Sequence, residues 1–82
     1  MHVMILVEIA GWAGAILILG AYILLTFGRI QAQSVMYQAM NVAGAAGFIV
    51  NGLANGALPS ATLNIIWMGI GVFALWRIRT TP

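Results

Sequence analysis

Three long apolar runs follow one another along the chain, over residues 9–27, 35–53 and 58–76. Each holds about 19 residues, enough for a helix rising 1.5 Å per residue to cross a hydrocarbon core of roughly 30 Å. With their flanks they predict spans over about 5–27, 34–54 and 59–78 of one 82-residue domain. The first connector, Gly28-Arg29-Ile30-Gln31-Ala32-Gln33-Ser34, is polar, and Ser34 is placed to cap the second helix. The second connector, near residues 55–58, is so short that the second and third spans must form an antiparallel hairpin. Gly56 can adopt a backbone conformation other residues avoid, and Pro59 suits the first turn of a helix.

The polar positions inside these runs are not scattered. At 100° per residue, Asn41, Gly44, Phe48, Asn51 and Asn55 fall in a stripe roughly 80° wide on the second helix. On the third helix Asn64, Trp67, Met68 and Gly71 form a comparable stripe. Counted from the second connector, Phe48 and Asn64 both lie about 8–10 Å deep. An aromatic ring and an amide at one depth can line a cavity. The bland reading is that the asparagines hydrogen-bond between helices, each contributing about 0.6–2 kcal/mol. Polar groups at membrane depth also mark aqueous paths, so both readings stay open.

Composition decides the solvent. The chain is 63% hydrophobic and 5% charged, with mean hydropathy +1.08. A water-exposed domain has roughly a quarter of its residues charged, so an all-α membrane domain is expected. Arg29 follows the first span, and Arg77 and Arg79 end the third, so all three mark one side. The positive-inside rule puts the N-terminus outside and the C-terminus in the cytoplasm. Glu8 is expected at the outer end of the first span, favoured there by the helix dipole. Residues 1–8 carry no Lys or Arg, so the first run reads as a retained span rather than a cleaved signal. The high isoelectric point rests on three arginines and is no argument for nucleic acid. There is no cysteine, and the one histidine, His2, reads as incidental at the terminus, so no metal or cofactor is implied. No carboxylate pair, nucleophile–base pair or phosphate-cradling loop is present, and the chain does not read as an enzyme. Trp12, Tyr22, Tyr37 and Trp76 suit packing or the membrane interface.

Helices in lipid associate through small residues. The first span offers Gly11, Gly14, Ala15 and Ala21, the second Ala43, Gly44, Gly47, Gly52 and Gly56, and the third Gly69 and Gly71. Three helices are too few to enclose a path for a solute. A homodimer of like-oriented copies, two-fold about the membrane normal, would bring both polar stripes together.

These features resemble the SemiSWEET group of the SWEET (PQ-loop) transporters. The resemblance runs from about Gly11 to Arg77. It is strongest at Ser34-Val35-Met36-Tyr37, Gly44, Gly52-Leu53, Leu58-Pro59 and Leu63-Asn64. It implies a bacterial, inner-membrane three-helix unit with the third helix between the first and second (spatial order 1-3-2), paired as a parallel homodimer. It also implies a sugar-like substrate moved by alternating access. Asn64 matches the family's substrate-binding asparagine, and Phe48 stands where the family stacks a tryptophan on the sugar. Asn51, Asn55 and Ala57 occupy outer-gate positions without charge, and Leu24-Leu25 stand where the Pro-Gln pair is expected. The chain is also similar to uncharacterised small bacterial membrane proteins with the Ala-Leu-Pro-Ser and Leu-Asn-x-x-Trp pattern.

The sequence therefore predicts a homodimeric facilitator for a small neutral polar solute, since no charge lines the stripes. Asn64, Phe48, Asn41 and Trp67 would contact solute, with Asn51, Asn55 and Tyr37 at the gates. The alternative is a non-transporting structural or accessory protein whose asparagines join helices. A holin-like pore former would carry a more basic tail than Arg77-Ile78-Arg79-Thr80-Thr81-Pro82. A proton-driven exporter or rotor-ring subunit would need a carboxylate deep in a span.

Overall fold

The computed structural model describes residues 2–80, and within them the chain is entirely helical apart from its two connectors. The helices are α1 (His2–Thr26), α2 (Val35–Ala54) and α3 (Leu58–Thr80). At 20 residues α2 is the shortest, yet its axis is still about 30 Å long.

Local chemistry sets the ends. α1 and α2 both close in Schellman motifs, with a glycine in the left-handed region as the first residue past the cap. At Gly28 (φ +71°) the Arg29 N–H donates to the Leu24 carbonyl at 2.9 Å. At Gly56 (φ +72°) the Ala57 N–H donates to the Gly52 carbonyl at 2.8 Å. Ser34 caps α2 as expected, its side chain accepting from the Tyr37 N–H at 3.1 Å. Pro59 sits in the first turn of α3, where its missing N–H costs no helical bond. Arg77 and Arg79 occupy the last turn of α3, where the dipole favours cations.

α2 packs antiparallel against both α1 and α3, and no α1–α3 packing occurs among the described residues. Within the described residues α2 therefore lies between α1 and α3, where the SemiSWEET resemblance implies the third helix between the first and second. Two properties of α2 account for it. Both connectors are short, so neighbours in sequence pack first. α2 also carries small residues on two sides. Toward α1, Gly44 and Gly47 lie against Gly14 and the Ala10 carbonyl. Toward α3, Gly52 meets Ala61, while Gly71 of α3 leaves room for Val42 and Gln38.

The core is built from small side chains. Val7, Ala21, Ala45 and Ala61 are its buried apolar residues, beside the buried glycines Gly14, Gly44, Gly52 and Gly71. Among the described residues no large side chain is fully buried, and bulky groups such as Trp12 (67% exposed), Phe73 (57%) and Trp76 (61%) point outward. A chain with its large apolar groups outside and glycines inside is inverted relative to a water-soluble fold and suits a lipid surround. Two stretches, Val3–Thr26 and Leu58–Arg79, are long and apolar enough to cross a membrane, with mean hydropathy 2.2 and 1.6. α2 is not among them, because Gln38, Asn41 and Asn51 interrupt its apolar run.

Two further expectations change. α1 begins at His2, with no acidic residue in its first turn, so Glu8 lies six residues inside the helix. The dipole argument fades within the first turn and does not explain it. Gly69 has open space around it and joins no helix pair. The side chain of His2 and the tail at Thr81 and Pro82 lie outside the described residues.

Candidate functional site

α2 has three distinct sides. Met40, Gly44, Gly47 and Asn51 face α1, and Gln38, Val42 and Gly52 face α3. At 100° per residue these rows lie roughly 150° apart, and Tyr37, Asn41, Phe48 and Asn55 fall between them. The opposite side holds Ala39, Ala43, Val50 and Leu53, all exposed. The polar side is the more sheltered one: Asn41 is 6% exposed, and Tyr37 and Phe48 are half-buried. Asn55, the C-cap of α2, is exposed.

Register places the third helix along the Gln38, Val42 and Gly52 row that borders this side. Gly52 meets Ala61 and Gly71 meets Val42, so stepping along α3 is matched by stepping back along α2. Asn64 is then level with Ile49, beside Phe48. Gly14 of α1 touches the Phe48 backbone, which brings Gly14, Phe48 and Asn64 to one level. That level is about 9 Å from the end of α2 nearest the short connector, and Asn41 lies about 10 Å further along. Asn64 is half-buried, and Trp67, one turn on, is 49% exposed at the edge of the α2-facing side.

The amides divide into two groups. Asn51 reaches across to α1, its Nδ2 donating to the Val7 carbonyl at 3.0 Å. Its amide lies flat over Gly11, where a Cβ would stand 2.6 Å from Nδ2. The other three asparagines bond within their own helices. Asn41 donates to the Tyr37 carbonyl at 3.0 Å, Asn55 to Asn51 at 2.8 Å and Asn64 to Ser60 at 2.9 Å. The reading of all these asparagines as links between helices therefore holds for Asn51 alone.

An amide has two N–H donors and an acceptor oxygen. Asn41 and Asn64 each use one N–H on a carbonyl four residues back and make no other hydrogen bond among the described residues. No buried side-chain nitrogen or oxygen among the described residues lacks a partner, so the unbonded Asn41 Oδ1 retains access to the surface of the polar side. No charged side chain belongs to this side, and the described residues hold no cluster of metal-ligating groups. What the arrangement offers is neutral donors and acceptors on the side of α2 that carries Phe48.

An uncharacterised family has a sequence model that matches residues 7–81, nearly the whole chain, and the protein belongs to that family. No curated protein and no solved structure matches it. Nothing in these comparisons links the chain to SemiSWEET or other PQ-loop proteins.

Proposed function

We propose that the protein is a three-span membrane protein working as a homodimer of like-oriented copies, whose α2 polar sides together line a path for a small neutral polar solute such as a polyol or sugar. The observation that carries this reading is the state of the Asn41 and Asn64 amides. Each is held in place by its own helix and keeps an acceptor and a donor for a ligand. α2 counts as a span because α1 and α3 flank it along its length, and their cover offsets its lower hydropathy. Polar side chains at that depth normally face a bundle interior or a water-filled cavity. In a single copy α1 and α3 do not meet over the polar side of α2, and a second copy supplies the missing wall. Like orientation follows from Arg29, Arg77 and Arg79 at one end, which also places the N-terminus outside a bacterial inner membrane and the C-terminus in the cytoplasm. With no charged group on the polar side, movement down a gradient is favoured over ion coupling. Phe48 would stack on the solute, Asn41, Asn64 and Trp67 would contact it, and Tyr37, Asn51 and Asn55 would border the two ends.

The test is uptake of radiolabelled glycerol, erythritol and glucose into proteoliposomes of verified orientation. Wild type is expected to exceed empty vesicles for at least one solute, with the excess lost in Asn64→Val and Asn41→Val. No excess for any neutral solute would remove the reading. The accessory-protein alternative draws on the Asn51–Val7 bond, an asparagine that does join helices. Co-purification with one larger partner at fixed ratio would favour it.

A further inference from the structure

We propose that the outer face of α1 is a docking site for a bilayer lipid with an ammonium headgroup, held by Glu8 and Trp12. The face opposite the buried seam of Val7, Gly14 and Ala21 carries Ile5, Glu8, Ile9, Trp12, Ala13 and Ile16, which line a shallow trough of about 430 Å³. Glu8 is the only carboxylate side chain in the sequence, and it lies within the Val3–Thr26 stretch. It makes no hydrogen bond or ion pair among the described residues. About 27 Å of helix separates it from the end of α1, after which Arg29 follows, so no arginine can neutralise it from within the same chain. On this exposed face of α1 the carboxylate meets no cation of its own chain, so a lipid ammonium is the counter-charge at hand.

Depth identifies that partner. Asn51 bonds Val7, so Glu8 is level with the last turn of α2, at headgroup depth on the arginine-free side. Ile9, Ala13 and Ile16 extend the trough about 12 Å deeper, into the acyl region. Trp12 stands one helical turn below Glu8 and is 67% exposed, so its ring can meet a cation held by the carboxylate. Carboxylate, ring and apolar trough, in that order of depth, match a headgroup ammonium followed by an acyl chain. A primary ammonium donates hydrogen bonds to Glu8, whereas a quaternary one cannot. The expected preference is phosphatidylethanolamine over phosphatidylcholine, and either over phosphatidylglycerol. The seat lies away from the polar side of α2, so it stands whether or not the solute path does.

The test is native mass spectrometry of the full chain in mild detergent, titrated with these three lipids at matched acyl chains. Wild type is expected to retain phosphatidylethanolamine about five-fold better than phosphatidylglycerol, equivalent to about 1 kcal/mol. Glu8→Gln should abolish that preference, Glu8→Asp should restore part of it, and Trp12→Leu should weaken both zwitterionic lipids. Equal retention of all three by wild type would overturn the proposal, as would a preference unchanged in Glu8→Gln. A dimer that falls apart in Glu8→Gln would also overturn it, by making a second copy the occupant of the trough.

Discussion

Replacing Gly14 by alanine should part α1 from α2. A Cβ on Gly14 would sit 2.6 Å from the Gly44 carbonyl oxygen and 3.3 Å from the Phe48 nitrogen, and both are backbone atoms. Ordinary contact begins at 3.4 Å, so the two helices must separate locally by roughly 0.8 Å. A gap of that size forfeits about a quarter to a half of the dispersion attraction across the seam. Overpacking of this kind costs about 1–3 kcal/mol, against a gain of up to about 1 kcal/mol in helix propensity. The net expectation is a loss of about 1–2 kcal/mol. Gly69→Ala is the control, since nothing lies within 4 Å of its added methyl. The assay is SDS titration from a mild detergent, followed by far-ultraviolet circular dichroism. Gly14→Ala should unfold at lower SDS than wild type, and Gly69→Ala at or above it. If the two variants unfold together, the close α1–α2 approach is wrong.

Other outcomes follow from the same contacts. Gly11→Ala would push the Asn51 amide off the Val7 carbonyl, so Gly11→Ala and Asn51→Ala should each cost about 0.6–1.7 kcal/mol and combine non-additively in a double-mutant cycle. Ser34→Ala removes the α2 cap and should lower the SDS midpoint by an amount equivalent to about 1 kcal/mol. Gly56→Ala forces a Cβ into the left-handed region and should cost about 1–2 kcal/mol, although nothing around it would clash. Because the chain has no cysteine, engineered pairs report helix order directly: a pair at Gly52 and Ala61 should cross-link, and pairs between α1 and α3 within one chain should not.

The sequence disclosed the helices because their signals are local. The apolar runs, Ser34, Gly56 and Pro59 each act within a few residues, and the three-helix architecture follows from them. Gly28 carries the same local signal as Gly56, a glycine just past an apolar run. Helix order was not local. It depends on α2 having small residues on two sides, Gly44 and Gly47 toward α1 and Gly52 toward α3, and a wheel projection of one stripe obscures that. The amides were visible as a set, but their partners were not. An asparagine inside a helix can donate to its own carbonyl four residues back or reach a neighbour, and spacing alone does not choose. Asn51 crosses because Gly11 leaves a flat surface beside the Val7 carbonyl, while Asn41, Asn55 and Asn64 turn back on their own helices. The helix dipole does not account for Glu8 because α1 extends to His2, beyond the start of the uninterrupted apolar run.

The central claim is that the Asn41 and Asn64 amides serve a solute rather than the fold. Solute flux and SDS stability, measured on the same Asn41→Val and Asn64→Val preparations, test it most directly. The account predicts that uptake of the transported solute falls to the level of empty vesicles while the SDS midpoint stays near wild type, because only bonds within each helix are lost. Unchanged uptake, or a fall in uptake matched by a collapse in stability, would contradict it.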